Sequence, residues 1–363
     1  MAGKDFHANS FDQATGTKLD IYQSYLETWL PVFIQSQHLK DKINVFDFFA
    51  GPGRDTEGSP GSPLLFIDIC KKFTGQLMNQ KGKISLYFSD AKKKKMAELT
   101  ETMKGISLPP TLKVNITPGE FKKMFMRNLK NMSGAANLLF IDQCGIKEVN
   151  KEVFATLVGL NKTDFIFFIS SSSFKRFQDK FNTHVNTTEF VSSSTPHTEM
   201  HRSIASLYRK WIPKDQEYYL APFSLKKGSN INGLVFGSAN LLGILKFLEI
   251  CWKLDPERGE ANYDIDSDHL AKSGQPLDLF NQANKSRKLT EFEQRVEELL
   301  LNGKLTSDFE VFRYALESGF LPTKHAKPVV TGLIKSKKLT SLDGQPRLSK
   351  ICIAEPRSFS LIQ

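Results

Sequence analysis

Short apolar runs alternate with longer amphipathic segments through the first two-thirds of this 363-residue chain. Each apolar run has the length of a buried strand, and each segment between two runs carries apolar residues at helical spacing. The predicted strands are residues 43–50, 84–89, 112–117, 137–141 and 165–170, and the predicted helices are residues 63–73, 92–103, 120–131 and 151–160. This alternation predicts a doubly wound, mainly parallel sheet with a ligand site at the carboxyl ends of its strands.

Residues 18–37 carry apolar and aromatic side chains along one helical face, which predicts an amphipathic helix. These side chains are Leu19, Tyr22, Tyr25, Leu26, Trp29 and Leu30. We therefore expect an N-terminal helical extension, residues 1–40, that packs on a main domain of residues 41–262. The main domain is completed by predicted helices at 203–211 and 241–252 and predicted strands at 218–223 and 234–236.

The pattern changes after residue 262. Residues 263–286 are polar, contain Gly274 and Pro276, and predict a linker. Short helices at 290–301, 307–317 and 324–336, a turn at 342–346 and a final extended stretch then match a winged helix, residues 287–363. From Lys285 onward the chain has 14 basic and 9 acidic residues, so this module is positively charged.

A positive third helix and wing suit contacts with the phosphates and grooves of a nucleic acid. The predicted nucleic-acid contacts are Lys324, His325, Lys327, Lys335, Lys337, Lys338, Arg347 and Lys350. The alternative is a winged helix that contacts another protein. The whole chain has 49 basic and 39 acidic residues, a net charge of +10, which agrees with a polyanionic partner.

Several classes of protein are excluded at this stage. No apolar stretch approaches the roughly 20 residues that cross a membrane, and the N-terminus lacks an apolar signal core. A cytoplasmic location is therefore expected. The four cysteines lie far apart, and His184, His197 and His201 have no partner carboxylate at ligand spacing, so neither a disulfide framework nor a metal site is predicted.

The candidate chemistry lies where the predicted strands end. The first strand runs into VFDFFAGPGRD, where Gly51 and Gly53 allow a sharp turn and a close approach of a ligand to the backbone. Asp90 ends the second strand, where a carboxylate can accept hydrogen bonds from both hydroxyls of a ribose. Asp142 ends the fourth strand, at the same edge of the sheet. Each feature also has a structural explanation, a tight turn for the glycines and a helix cap for Asp90.

The runs FFAGPGRDTEGSPGSPLL, FIDQCG and GLVFGSANLLGILKFLEICWKLDPERGE resemble the three-Cys-motif partner protein family of bacteria, over residues 17–260. The resemblance implies a Rossmann-like class I methyltransferase fold, with S-adenosylmethionine as its cofactor and, in many members, a C-terminal winged helix. It also implies a partner protein that is similar to radical S-adenosylmethionine enzymes. The resemblance implies that the cofactor cleft is lined by Asp47, Phe49, Gly51, Gly53 and Arg54. It also implies that Asp142 occupies the position of the acid in the catalytic motif.

The sequence departs from the family pattern directly after Asp142. Family members usually have Asp-Pro-Phe-Gly here, similar to the motif whose aromatic ring stacks on a base in amino-group methyltransferases, whereas this chain has Gln143 and Cys144. Asp142 and Gln143 are the predicted catalytic residues. Cys144 is either a buried thiol at a strand end or a nucleophile.

Two functions remain open from the sequence. The first is an S-adenosylmethionine-dependent methyltransferase that acts on or with nucleic acid, DNA or RNA. The second is a non-catalytic subunit that binds DNA or a partner, within a radical-enzyme-associated or defence complex. The intact glycine loop favours the first function, and the altered Asp-Gln-Cys-Gly motif favours the second.

Overall fold

The computed structural model describes residues 13–36, 42–142, 148–170, 200–227, 230–254, 260–261 and 287–362. Within these ranges, the strands of the main domain are β1 (Ile43–Asp47), β2 (Ile84–Asp90), β3 (Leu112–Pro118), β4 (Ala136–Asp142), β5 (Thr163–Ser170), β6 (Tyr219–Lys227), β7 (Asn230–Ser238) and β8 (Glu260–Ala261). The helices are α1 (Gln13–Ile34), α2 (Ser62–Lys72), α3 (Thr74–Asn79), α4 (Lys93–Lys104), α5 (Phe121–Met132), α6 (Lys151–Gly159), α7 (Met200–Trp211) and α8 (Leu241–Leu254).

The strands form one sheet in the order β3-β2-β1-β4-β5-β7-β6-β8. All neighbouring pairs are parallel except those that involve β7, which runs antiparallel to both β5 and β6. This order confirms the predicted Rossmann-like class I methyltransferase fold. The chain runs outward from β1 to β3 and then returns to β4, so the order reverses between β1 and β4. In such sheets ligands bind outside the carboxyl ends of the strands at this switch point.

Of the five strands predicted first along the chain, β2 to β5 are confirmed to within two residues at both ends. Strand β1 is shorter than predicted. The apolar run 43–50 continues past β1, because Phe48, Phe49 and Ala50 leave the strand and begin the glycine loop. The six-residue helix α3 was not predicted, since it is too short to show helical periodicity. The two-residue strand β8 falls in the polar segment after α8 and pairs with β6.

Helix α1 packs on the sheet with the predicted face, and all six side chains of that face are buried. The helix begins at Gln13, five residues earlier than predicted. The prediction missed these residues because they are mostly polar and show no apolar periodicity. The hydroxyl of Tyr25 donates to Asp164 at the start of β5, at 2.7 Å, and ties the helix to the sheet. Burial raises the pKa of the Asp164 carboxyl to about 6, although the hydrogen bond from Tyr25 opposes this shift.

The C-terminal module contains α9 (Arg287–Leu301), α10 (Asp308–Glu317), α11 (Lys327–Lys335), β9 (Leu339–Ser341), α12 (Ile351–Ala354) and β10 (Phe359–Leu361). The helix predicted at 324–336 is divided, because Pro322–Ala326 form a π-helical turn before α11 begins. Strands β9 and β10 pair antiparallel. The four-residue helix α12 was not predicted and interrupts the stretch expected to be extended.

A buried carboxylate holds the connection between β9 and β10. Asp308 is fully buried and accepts hydrogen bonds from the backbone N–H groups of Arg347 and Arg357, at 3.1 and 2.7 Å. Ser307 caps α10, because its side chain accepts from the N–H of Glu310. Asp308 therefore does not cap the helix but fixes the turn that follows β9.

The C-terminal module packs directly against the main domain, and the two share one hydrophobic core. The indole N–H of Trp252 in α8 donates to the carbonyl of Gly319 at 3.0 Å, and its ring lies 4.1 Å from that of His325. The guanidinium of Arg209 donates to the carbonyls of Leu220 and Glu317, one in each domain. Among the described residues, no helix combines the length and apolar character needed to cross a bilayer.

Candidate functional site at the carboxyl edge of the sheet

A cavity of about 30 Å³ lies at the switch point between β1 and β4 and is covered by α1. It is lined by Thr15, Lys18, Leu19, Tyr22, Asp47, Phe49, Ala50, Gly53, Arg54, Gly61, Ser62 and Asp142. Five of the seven residues predicted to bind a cofactor are therefore together: Asp47, Phe49, Gly53, Arg54 and Asp142. The other two, Gly51 and Asp90, are not part of the lining.

Asp47 is the most deeply buried carboxylate of the cavity. One oxygen accepts from the N–H of Phe49 at 3.0 Å, and the other accepts from the hydroxyl of Ser62 at 2.6 Å. Burial nevertheless dominates and raises the pKa of Asp47 to about 7, with a further rise from the charge of Asp142. A cation that enters the cavity would therefore meet a carboxyl group that ionises near neutral pH.

The glycine loop has the backbone conformation that its sequence predicts. Gly51 and Gly53 have φ angles of +64° and +88°, a region that side chains disfavour. The N–H of Gly61 donates to the carbonyl of Gly53 at 2.8 Å and closes the loop. Arg54 is exposed, and its guanidinium donates to the carbonyl of Gly58 at 2.7 Å, so part of its hydrogen-bonding capacity stabilises the loop itself. Phe49 stacks on Phe121.

Lys18 and Tyr22 of α1 are site residues that the sequence interpretation missed. The ammonium of Lys18 contacts the carboxylate of Asp142 and lies 4.7 Å from the centre of the Phe168 ring. Tyr22 is 2% exposed, and its hydroxyl has no hydrogen-bond partner among the described residues. Burial, together with the charges of Asp142 and Asp47, raises the pKa of Tyr22. A lysine on the apolar face of α1, four residues before Tyr22, was the available signal.

Two other predicted site residues have separate outcomes. Asp90 ends β2 as predicted, and one of its oxygens accepts from the N–H of Lys92 at 2.8 Å, immediately before α4. Lys92 is at the N-cap position of α4 and the helix has no side-chain cap among the residues that the structure describes, so this bond forms a turn before the helix rather than the cap considered for Asp90, and it occupies one acceptor site. Gln143, the second predicted catalytic residue, and Cys144 lie outside the described residues.

The residues predicted to contact nucleic acid divide into three groups. Six of the eight are exposed on the C-terminal module: Lys324, Lys327, Lys335, Lys337, Lys338 and Lys350. Arg347 is half-buried, and its guanidinium pairs with Glu355 at 2.9 Å. His325 corrects the prediction, because it is 3% exposed and its Nδ1 accepts from the N–H of Leu321. Burial lowers its pKa to about 3, so it is a neutral core residue of the domain interface.

The histidines considered as metal ligands do not form a site among the described residues. His201 is buried, and burial lowers its pKa well below the ordinary value. His184 and His197 lie outside the described ranges. Within those ranges no group of three or more His, Cys, Asp or Glu side chains is arranged to hold a metal ion.

Comparison with protein families identifies the C-terminal segment. Residues 264–344 match the model of the GMT-like wHTH domain, a winged helix-turn-helix. The match includes α9 to α11 and β9 and begins within the segment predicted as a linker. No curated protein matches the sequence significantly.

Solved structures with similar folds share little sequence with this chain. Trm1 from Pyrococcus horikoshii, solved with S-adenosyl-L-methionine, has 9% identity and a TM-score of 0.40, over 66% of this chain and 59% of that one. The O-methyltransferase from Bacillus cereus in complex with SAH has 12% identity and a TM-score of 0.35, over 64% and 83%. The SAM-dependent methyltransferase from Agrobacterium tumefaciens has 9% identity and a TM-score of 0.36, over 64% of each chain. The chain thus spans 59% of the length of Trm1.

Proposed function

We propose that this chain is a cytoplasmic S-adenosylmethionine-binding protein of the three-Cys-motif partner type, and that it acts as a methyltransferase on or with nucleic acid. The observation that carries the proposal is the cavity at the switch point. There the glycine loop and the carboxylates of Asp47 and Asp142 come together from two neighbouring parallel strands. This is the position at which the fold places its ligands.

The charged groups of the cavity are complementary to those at the methionine end of this cofactor, an ammonium and a carboxylate. Asp47 and Asp142 are acceptors for the ammonium, and the hydroxyl of Tyr22, which has no partner in the described ranges, is a donor for the carboxylate. Gly51 and Gly53 would allow close approach to the backbone, and Asp90 would hold the ribose hydroxyls. When bound, the cofactor supplies a methyl group on a sulfonium, and the rest of the cofactor leaves as a neutral thioether.

The chain's part in such a reaction is to bind and align. A second oxygen of Asp142 would orient the acceptor group toward the methyl, and the closed edge under α1 would exclude water. Holding two reactants in line can account for a large share of a methyl-transfer rate.

Calorimetric titration of the full chain with S-adenosylmethionine tests the proposal. The pKa of Asp47 adds a prediction of how this binding depends on pH. An ammonium beside Asp47 favours its ionised form, so binding lowers a pKa of about 7 and releases a proton. Binding therefore strengthens as pH rises through 7, by about tenfold between pH 6 and pH 8. Asp47→Asn removes this dependence. Failure to bind at either pH would refute the cofactor assignment.

The nucleic-acid part of the proposal is supported by the match to a winged helix-turn-helix model and by exposed lysines on α11 and beyond it. We expect Lys335→Glu combined with Lys337→Glu to weaken binding to duplex DNA or RNA by about 10- to 100-fold at low salt. The slope of log K against log salt should fall by about 2, because each phosphate contact contributes about 1.

The matched control for this prediction reverses two exposed lysines of the main domain. Lys113→Glu combined with Lys130→Glu changes the net charge by the same amount, and both side chains are exposed. Filter retention across a salt series compares the two variants. An equal loss in both would indicate a general charge effect and would contradict a binding surface on the winged helix.

A non-catalytic subunit is the second candidate function. Two observations favour it: Lys18 is already paired with Asp142, and the cavity has room for only one or two water molecules. In this role the domain serves as a scaffold for a protein partner similar to radical S-adenosylmethionine enzymes. Mass spectrometry of nucleic acid and protein from cells with and without the chain separates the two candidates, since only the enzyme leaves a methyl mark.

A further inference from the structure

Among the residues that the structure describes, the cavity contains one buried hydroxyl without a partner, on Tyr22, and one largely buried ion pair, between Lys18 and Asp142. Within the described part of the chain, the buried hydroxyl of Tyr22 has no hydrogen-bond partner. The side chain of Lys18 is only 9% exposed, and its ammonium has Asp142 as its counterion. A buried donor without an acceptor is rare in folded proteins, so the hydroxyl of Tyr22 calls for an explanation, and the acceptor group of a bound ligand would provide one. Both groups come from α1, the helix that covers the cavity.

We propose that Lys18 and Tyr22 form a carboxylate subsite, which restricts the cavity to ligands with an intact α-amino acid end. The inference rests on the proposed function, because that end is then the methionine moiety of S-adenosylmethionine. The ammonium of the ligand binds to Asp47 and Asp142, and its carboxylate binds to Lys18 and the hydroxyl of Tyr22. Helix α1 is thus part of the binding site as well as a packing element.

The charges of the cavity favour a zwitterion over a simple cation. When a zwitterion binds, two ion pairs replace one. Its ammonium takes the place of Lys18 next to Asp142, and its carboxylate pairs with Lys18. A ligand that lacks the carboxylate also displaces Lys18 from Asp142, but it leaves the ammonium of Lys18 buried without a counterion. An unpaired buried charge is strongly unfavourable, so the site should reject that ligand.

The hydroxyl of Tyr22 adds a directional contact to this charge balance. Its ring is held by packing against Phe140, with 4.6 Å between ring centres, so its position is fixed before a ligand arrives. Burial and the neighbouring carboxylates raise the pKa of Tyr22, which keeps the hydroxyl protonated as a donor. A neutral donor next to Lys18 suits a carboxylate and offers nothing to a second ammonium.

Paired titrations with S-adenosylmethionine and decarboxylated S-adenosylmethionine test the inference. The measured quantity is the ratio of the two dissociation constants in the full chain. We expect the unaltered protein to prefer the intact ligand by about 100-fold or more. Lys18→Met should reduce the preference to less than about tenfold, and Tyr22→Phe should reduce it by about tenfold, as loss of one hydrogen bond to a charged group does.

Two further variants keep the test decisive. Lys18→Arg retains the positive charge and should keep most of the preference, which separates the charge of Lys18 from its packing. Lys72→Met is the matched control, because Lys72 forms an exposed pair with Glu27 on the surface of α1 and α2. It should leave the preference unchanged. Tyr22→Phe keeps the buried ring and its packing on Phe140, so it retains the fold.

The possible failures are distinguishable. If the unaltered chain binds S-adenosylmethionine but Lys18→Met and Tyr22→Phe keep the full preference, the carboxylate subsite is overturned and the proposed function stands. If the unaltered chain binds both ligands equally, the subsite is likewise overturned. If it binds neither ligand, the proposed function fails and this inference fails with it.

Discussion

Gly53→Ala is expected to lower the free energy of unfolding by about 2–4 kcal/mol and to weaken S-adenosylmethionine binding by at least about tenfold. Gly53 has a φ of +88°, and an added Cβ would lie 2.6 Å from Cδ1 of the buried Leu99 in α4. The substitution therefore adds a steric conflict to the backbone strain. Relief of that conflict displaces the loop whose other residues line the cavity. Urea denaturation and calorimetric titration measure the two effects.

Gly58→Ala is the matched control. Gly58 belongs to the same loop and has nearly the same φ, +86°, but an added Cβ would meet nothing within 4 Å. It should cost only the strain of a left-handed residue, about 1–2 kcal/mol, and should leave binding within about threefold. Equal effects from the two variants would show that strain alone matters and that the packing of Gly53 on Leu99 does not.

A double variant locates the conflict. Leu99→Ala removes the side chain that the new Cβ would meet, at the cost of a cavity in the core. Gly53→Ala and Leu99→Ala combined should therefore destabilise the protein by less than the sum of the two single effects. Strict additivity would exclude the contact as the cause.

Trp252→Ala is expected to have the largest effect on stability, a loss of about 3–5 kcal/mol, because it removes a buried indole at the junction of the two domains. Trp252 is 3% exposed, and its ring contacts those of His325 and Phe320. Its loss also leaves the carbonyl of Gly319 without its donor. We expect the C-terminal module to unfold at lower urea than the main domain, in a separate transition seen by circular dichroism.

Trp252→Phe separates packing from hydrogen bonding at this interface. The phenyl ring retains most of the contact with His325 but cannot donate to Gly319, so the expected loss is about 1–2 kcal/mol and unfolding should remain a single transition. A Trp252→Ala variant no less stable than Trp252→Phe would mean that the domains are not coupled through this side chain.

The sequence located the first five strands of the sheet because strands are local features. Runs of five to eight residues rich in apolar and β-branched side chains indicate strands, and helical spacing between two such runs indicates a crossover. The glycine loop was predictable for the same reason, since the positive φ angles of Gly51 and Gly53 depend on only a few residues. Elements that are very short, such as α3 and α12, gave no periodic signal.

The tertiary structure alone decided which charged residues belong to the candidate site. Lys18 and Asp142 are separated by 124 positions and meet only because α1 folds over the carboxyl ends of β1 and β4. Likewise, a basic segment predicted His325 on a binding surface, yet packing against Trp252 buries it. Local patterns specify which segments form strands and helices, whereas the pairing of distant polar side chains depends on how those segments pack.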